Sequence, residues 1–148
     1  MEKTLKVQKI RGGTVIDHIA SGHAWDVVKI LGLETYPETV MVLSNITSKR
    51  LGKKDIIKVE NKELKKNEVN MVSLLSPSAS VNIIKNFEIK EKYNVDVPKE
   101  VIGLLKCTNP VCITHEEPVK SKFFVESEEP LTLRCAYCER ILNKINFI

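Results

Sequence analysis

Four cysteines in the last third of the 148-residue chain are the residues best suited to chemistry. Cys107 and Cys112 are separated by four residues, Cys135 and Cys138 by two, and 22 residues lie between the pairs. Two close pairs of thiolates form the usual ligand set of a tetrahedral structural zinc site, in which gaps of about two to four residues are common. Because sulfur would fill every coordination position, the ion would stabilise the fold and would not bind substrate. The sequence therefore predicts one structural zinc ion per chain.

Other cysteine chemistries stay open from the residues alone. Two disulfides would suit a secreted module, but the N-terminus, M-E-K-T-L-K-V, is charged and lacks the apolar core of a signal peptide. A redox pair at Cys135 and Cys138 would leave the other two cysteines unexplained, and an iron–sulfur centre would use all four. His115 follows Cys112 closely, but four thiolates already satisfy zinc, so we expect this histidine to lie outside the site.

The basic surplus of the chain lies outside the cysteine segment. Residues 1–100 contain 17 Lys and Arg against 13 Asp and Glu, whereas residues 101–148 contain six of each class. Four thiolates on a divalent ion would make the C-terminal part more negative still. A zinc ribbon that binds nucleic acid needs a basic surface. The charge distribution therefore disfavours the alternative function, a nucleic-acid-binding zinc-ribbon protein, and we expect no nucleic-acid partner.

Residues 1–97 alternate between strand and helix patterns. Ser21 is suited to cap a first helix of about 10 residues with one apolar stripe. Asn67 is suited to cap a second helix that ends before Pro77. Strands are predicted at 5–11, 14–19, 39–43, 55–60 and 80–90, the last as two short strands or one bent strand. This order predicts a ferredoxin-like α/β domain, a sheet with two helices on one face.

A domain boundary is predicted at N-V-D-V-P, residues 94–98. From 98 to 148 the β-prone stretches are short, which indicates a small antiparallel β zinc domain and an α+β fold class for the whole chain. A segment of this size is too small to fold by apolar burial alone, which is a second reason to expect a metal. No apolar run approaches the length of a membrane span. We expect a soluble, cytoplasmic protein with no membrane partner.

Several longer motifs occur in a fixed order along the chain. R-G-G-T-V-I-D-H-I stands near the start, G-K-K-D-I-I-K-V-E-N in the middle and S-P-S-A-S-V-N-I-I after the second predicted helix. C-T-N-P-V-C-I-T-H-E-E-P-V and then C-A-Y-C-E follow in the cysteine segment. From about Leu5 to Glu139, this combination resembles the regulatory chain of aspartate carbamoyltransferase.

The resemblance implies a function without an active site. An N-terminal allosteric domain would bind nucleoside triphosphates, with CTP as an inhibitor, ATP as an activator and UTP able to join CTP. The C-terminal zinc domain would dock on the catalytic chain, and the regulatory chains would pair as homodimers inside a larger assembly. The chain would then be a non-catalytic regulatory subunit in pyrimidine biosynthesis.

The resemblance also assigns the residues of a nucleotide site. The chain has no P-loop and no Rossmann glycine motif, so a triphosphate would need converging Lys or His side chains. By resemblance, His18, Lys58 and Lys92 correspond to phosphate and ribose contacts. Asp17 corresponds to the ribose-side carboxylate, and Lys54 is a further candidate near the phosphates. Lys9, Ile10, Phe87 and Ile89 match positions that line the base. The positions that complete the pocket are Val7, Gln8, Val15, Asn82 and Ile84.

The catalytic-chain contacts implied by the resemblance lie beside the cysteine pairs: Asn109, Glu117, Tyr137, Glu139 and Arg140. Without the family pattern, these residues would be interpreted as ordinary solvated loops. In the same way, Lys58 and Lys92 would be solvated strand lysines and Phe87 a core residue.

Overall fold

The structure, a computed structural model, describes residues 9–147. These residues divide into two compact units. The first contains the chain up to Lys65 together with Ser78–Val95, and the second contains Lys66–Pro77 and the chain from Asp96 onward. None of the helices described for this part of the chain has the length and apolar character that crossing a bilayer requires.

The elements of the first unit are β1 (Gly13–Ala20), α1 (Ala24–Ile30), a 3-10 turn (Leu33–Thr35), β2 (Val40–Ser48), β3 (Gly52–Glu60), β4 (Ser80–Lys85) and β5 (Glu88–Asn94). Its strands form a five-stranded antiparallel sheet with the order β2-β3-β1-β4-β5. Up to β4, the order along the chain is strand, helix, two strands, helix and strand. In the sheet, β1 and β3 are central, with β2 and β4 beside them. This is the ferredoxin-like arrangement. The last strand, β5, extends the sheet at one edge. The helix α2 (Lys66–Leu75) lies between β3 and β4 along the chain but belongs to the second unit.

The two faces of this sheet differ because side chains alternate along each strand. On β3, Ile57 and Val59 are fully buried, whereas Ile56 and Lys58, which alternate with them, are only half-buried. Ile57 pairs with the buried Ile16 on β1, so the apolar side chains share one face. The opposite face is therefore left for polar chemistry.

The start of α1 is held by a residue from β3, so the prediction that Ser21 caps this helix is wrong. The fully buried Asp55 carboxylate accepts hydrogen bonds from the N–H groups of Gly22 (2.9 Å) and Ala24 (3.2 Å). Its other oxygen accepts one from the N–H of Asn45 on β2 (2.9 Å), and the Ser21 hydroxyl instead donates to the Asn45 side chain. A carboxylate satisfies the orphan N–H groups of a helix start as a local cap would.

The second unit contains a four-stranded antiparallel sheet of order β6-β7-β8-β9. Its core is small: three of its nine buried residues are cysteines, and Phe123 is the largest side chain among them. Leu74 of α2 belongs to the same core, which explains why this helix groups with the second unit. The strands are β6 (Glu100–Ile102), β7 (Lys122–Glu128), β8 (Leu131–Cys135) and β9 (Ile141–Leu142).

The predicted α+β fold class is confirmed. The structure differs from the prediction in where some strands and helices begin and end. Residues 80–90 form two strands joined by a turn at Asn86 and Phe87. α2 begins at Lys66, so Asn67 lies in its first turn and does not cap it. The strand predicted at 5–11 lies mostly outside the described residues, and residues 9–11 are not in a strand.

Gly13 at the start of β1 has no room for a side chain. An added Cβ would lie 2.0 Å from the carbonyl oxygen of Val59, and the residue has a φ of +133°. We expect Gly13→Ala to lower the free energy of unfolding by about 3 kcal/mol, because both the backbone conformation and the pairing with β3 are disturbed. Urea denaturation measures this change.

Gly12→Ala is the matched control. A Cβ at Gly12 would meet its nearest atom, the carbonyl oxygen of Ile84, at an ordinary 3.4 Å. This variant should change the free energy of unfolding by less than about 1 kcal/mol. Equal effects of the two substitutions would contradict the close approach at Gly13.

Candidate functional site

The four cysteines of the second unit converge on one point. Their sulfur atoms all lie within 4.8 Å of one another. The Sγ atoms of Cys107 and Cys138 are 3.7 Å apart, and those of Cys112 and Cys135 are 3.8 Å apart. A zinc ion with Zn–S bonds of about 2.3 Å at the centre of a tetrahedron would have sulfur–sulfur edges of about 3.8 Å. The donor set and its dimensions therefore fit a structural zinc ion.

Short turns place these thiols. The N–H of Cys112 donates to the carbonyl oxygen of Asn109 (3.1 Å), and that of Glu139 donates to the carbonyl oxygen of Cys135 (2.9 Å). Glu139 adopts a left-handed φ of 63°, which turns the chain back beside Cys138. Each pair of cysteines thus spans a tight loop that contains a backbone hydrogen bond of its own.

The acidity of the thiols depends on their surroundings. Burial raises the pKa of Cys107 to about 12 and also raises the pKa of Cys135. At Cys138 burial acts in the same direction, but hydrogen bonds from the Arg140 backbone and the Asn109 side chain outweigh it and lower the pKa to about 7. A divalent cation favours thiolates. Metal uptake by this cluster would therefore release protons.

His115 does not belong to the cluster, as expected. Its Nε2 donates to the carbonyl oxygen of Asn109 at 2.9 Å. The Thr114 hydroxyl donates to the sulfur of Cys112 at 3.2 Å and so contacts a prospective ligand.

The predicted partner-interface residues all lie on the loops that carry the cysteines. Tyr137 is 45% exposed, and its hydroxyl donates to the carbonyl oxygen of Lys120 (3.1 Å). Val111, which is 83% exposed, lies on the first loop between Asn109 and Cys112. Glu117, Glu139 and Arg140 are exposed and Asn109 is half-buried. Their contact with a partner stays a prediction.

The first unit contains a cavity of about 340 Å³ on the polar face of its sheet. The structure brings nine of the predicted pocket residues together around it, and the tenth lining residue, Ile56, is new. Val7 and Gln8 lie outside the described residues. The lining residues are Lys9, Ile10, Val15, Asp17, Ile56, Lys58, Asn82, Ile84, Phe87 and Ile89. That they bind a nucleotide stays a prediction.

A single row of side chains crosses four strands at this cavity. Lys58 on β3 pairs with Val15 on β1, Val15 pairs with Asn82 on β4, and Asn82 pairs with Lys92 on β5. Residues paired directly across strands point to the same face. Two lysines therefore flank an asparagine on one face of the sheet, although Lys92 itself does not line the cavity.

Asp17, His18 and Lys54 form a polar cluster at one end of the cavity. The Nζ of Lys54 lies 2.9 Å from Asp17 Oδ1, which also accepts a hydrogen bond from the His18 N–H (2.6 Å). Burial tends to raise the pKa of Asp17, but the hydrogen bond and charge of Lys54 and the His18 N–H outweigh it, so the pKa falls below 3.8. Burial lowers the pKa of His18 below 6.5; the Asp17 charge opposes this shift and neighbouring cations reinforce it.

A bulge in β1 places this cluster. The pairing of β1 with β3 shifts between Ile16 and Ile19, and His18 within the bulge has a left-handed φ of 55°. The bulge turns the side chains of the cluster out of the regular alternation. Ser80 of β4 lies opposite, with its Oγ 3.3 Å from His18 Nδ1.

Two features of the cavity suit a flat polar ligand. Asn82 is 6% exposed, and its Oδ1 has no hydrogen-bond partner among the described residues. Phe87 is 56% exposed in a turn where it and Asn86 both have positive φ. A buried acceptor without a donor is costly unless a ligand or water supplies one, and an exposed aromatic ring offers a stacking surface.

Some site residues have a weak signal in the sequence. Ile56 is two residues from Lys58 on β3, so strand periodicity alone places both on one face. Ser80 gives no such signal, because its contact with His18 depends on the bulge in β1.

Comparison with known proteins gives matches to both parts of the chain. The model of the allosteric domain of the aspartate carbamoyltransferase regulatory chain matches residues 5–96. The model of the metal binding domain of the same regulatory chain matches residues 99–148. The first range contains the cavity and the second contains the four cysteines.

The chain is also similar over almost its whole length to curated proteins named aspartate carbamoyltransferase regulatory chain. It is 51% identical to that of Thermococcus kodakarensis over 146 residues, which are 97% of this chain and 95% of the relative. It is 48% identical to that of Methanothrix thermoacetophila with the same coverage. It is 50% identical over 143 residues to that of Methanocaldococcus jannaschii, again covering 97% and 95%.

Cys112→Ser tests the metal centre. The native chain should contain one tightly held zinc ion, and the variant should lose it because a neutral hydroxyl is a poor ligand in place of a thiolate. Elemental analysis of the purified proteins measures the metal content. Thr114→Val, which removes only the hydroxyl beside Cys112, should retain zinc. A native chain without zinc, or a Cys112→Ser variant that retains it fully, would contradict the assignment.

Proposed function

This chain belongs to the family of aspartate carbamoyltransferase regulatory chains, and from this we propose that it binds nucleoside triphosphates in the cavity of its first unit and thereby controls a catalytic chain bound to its second. It is a non-catalytic chain with an allosteric and a metal-binding domain. The observation that carries the nucleotide proposal is the row of Lys58, Asn82 and Lys92 beside an apolar cavity.

The two ends of the cavity suit the two ends of a nucleotide. Ile10, Ile84, Ile89 and Phe87 line an apolar part in which a base would lie. The Asn82 Oδ1 supplies a buried acceptor for an N–H group of the ligand.

At the polar end, Asp17 and Lys58 would contact the ribose. Lys54, Lys92 and His18 would contact the phosphates, since converging cations bind polyphosphates without a P-loop. CTP would act as an inhibitor, ATP as an activator, and UTP would bind together with CTP.

In the second domain, Cys107, Cys112, Cys135 and Cys138 would hold zinc. The bound ion supplies rigidity and no chemistry, because four sulfur ligands leave it no open position. Cysteines that hold zinc must stay reduced, which suits a reducing compartment, so we place the protein in the cytoplasm.

We propose a domain boundary between 97 and 98, supported by the two matched ranges, which end at 96 and begin again at 99. The allosteric domain would occupy 1–97 and the zinc domain 98–148. The exposed side chains on the cysteine loops would then form the contact with the catalytic chain, with Tyr137 and Arg140 as the residue types that dominate interfaces.

The regulatory chains would pair through their allosteric domains, and the two edges of the sheet differ in suitability. Edge strand β5 is exposed along its length and carries Glu88, Lys90 and Glu91, and charged edges resist pairing. Edge strand β2 presents the half-buried apolar run Val40–Leu43. We therefore propose β2 as the edge that a second copy covers.

Control at a distance requires a difference in affinity. A nucleotide shifts the complex between two quaternary states only if it binds one state more tightly, and such coupling is typically about 1–3 kcal/mol. The zinc domain holds the interface at which that difference acts.

Isothermal titration of the zinc-loaded full chain with CTP, ATP and a short oligonucleotide tests the proposed ligand class. CTP and ATP should bind and the oligonucleotide should not. Binding of the oligonucleotide alone would favour the nucleic-acid-binding alternative.

Lys58→Ala tests the site itself. Loss of a cation at the cavity should weaken CTP and ATP binding about tenfold, with zinc content unchanged. Lys29→Ala removes the same charge from the exposed last turn of α1 and should leave both affinities within about twofold. Unchanged affinities in the Lys58 variant would remove this residue from the site.

His18 should make triphosphate binding dependent on pH. Because the pKa of His18 is held below 6.5, the ring is neutral at about pH 7.5, and a bound phosphate would favour the protonated form. Affinity for CTP should therefore rise as the pH falls toward about 5.5, more steeply in the native chain than in His18→Gln. The phosphate groups of CTP titrate in the same way whether the ligand is added to the native chain or to His18→Gln. Identical pH profiles of the two proteins would therefore exclude His18 from contact with the phosphates.

A further inference from the structure

The loop between β2 and β3 brings an additional cation to the polar end of the cavity. The Nη2 of Arg50 in this loop donates to the carbonyl oxygen of Ser78 at 2.8 Å. The Ser78 hydroxyl in turn donates to the carbonyl oxygen of His18 at 2.8 Å. The Arg50 guanidinium is thus two hydrogen bonds from the backbone of the residue at the centre of the polar cluster.

The charges around His18 are unbalanced. Lys54, Arg50 and Lys92 all act on the His18 ring as nearby positive charges. The carboxylate that opposes them, Asp17, is already paired with Lys54 at 2.9 Å. Within residues 9–147, the recorded partner of Arg50 is the Ser78 carbonyl and not a carboxylate. Arg50 and Lys92 therefore give the surroundings of the polar cluster a positive surplus that suits an anion.

The position of these positive charges relative to the cavity indicates which part of a bound ligand would contact them. Asp17 lines the cavity, whereas His18, Lys54, Lys92 and Arg50 do not. A cavity of about 340 Å³ is at the small end of the range for ligand pockets. A ligand that places its base and ribose in this cavity must extend its phosphates past Asp17, toward the cations outside.

We propose that Arg50 binds the outermost phosphate of the nucleotide and so makes the site selective for triphosphates over monophosphates. This inference rests on the proposed nucleotide-binding function. Arg50 does not line the cavity, but it is tied to the backbone of His18 through Ser78, 28 residues away along the chain. A guanidinium also presents a planar fork of donors that matches phosphate oxygens, which a lysine does not.

Titrations of the full, zinc-loaded chain with CTP and with CMP measure this selectivity. Arg50→Gln should weaken CTP binding about tenfold and CMP binding by less than about twofold, because only the longer ligand reaches the loop. The dissociation constant of CMP divided by that of CTP should therefore fall by at least about fivefold.

Lys49→Gln is the matched control, because it removes the same charge from the neighbouring exposed position of the same loop. It should change the ratio by less than about twofold, since the charge of an exposed side chain is screened by solvent and salt. An equal loss in both variants would show a long-range effect of charge and overturn the proposal.

A double variant distinguishes a direct phosphate contact from an indirect role, in which Arg50 only positions His18 through Ser78. In a His18→Gln background, a direct phosphate contact predicts that Arg50→Gln still lowers CTP affinity several-fold. If the effect of Arg50→Gln disappears in that background, Arg50 acts through His18 and the proposal is wrong. A native chain that binds neither nucleotide would instead remove the proposed function, so the two failures are distinguishable.

Discussion

The convergence of four thiols is the constraint on which the second domain depends. Three of the nine residues in its core are cysteines, so little apolar surface remains to offset the entropy of ordering the chain. Sulfur atoms at 3.7 and 3.8 Å form the edges of a tetrahedron that a zinc ion would occupy. The loops that carry Tyr137 and Arg140 owe their shape to this centre, and a surface of fixed shape can transmit a shift that a flexible one would absorb.

In the first domain, the alternation of side chains along the strands separates the core from the proposed site. Ile16 and Ile57 bury one face of the sheet, and the opposite face carries Lys58 and Asn82. Buried Asp55 ties the start of α1 to β2 and β3. Binding residues on such a sheet have fixed positions relative to one another, which reduces the entropy lost when a ligand binds.

Strong local signals made much of this structure predictable from the sequence. The residue pattern at 55–60 predicted the strand that carries Lys58, and the cysteine spacing predicted the metal centre. The failures arose where distant residues decide local structure. Ser21 was predicted to cap α1, but Asp55 accepts the N–H hydrogen bonds at the start of this helix. Asp55 lies near the helix start only in the folded sheet. Ser80 reaches His18 only because β1 bulges there, and a bulge leaves no periodic signal. The two-residue strand β9 was too short for any pattern.

The proposed function joins these two domains: a nucleotide in the first alters an enzyme that only the second contacts. The most direct measurement is the rate of carbamoyl transfer by the catalytic chain at subsaturating aspartate, alone and with this chain bound, each with and without CTP. We expect CTP to lower the rate only when this chain is present with its zinc. A rate that CTP leaves unchanged in the assembled complex, or a catalytic chain that does not bind this chain, would contradict that linkage.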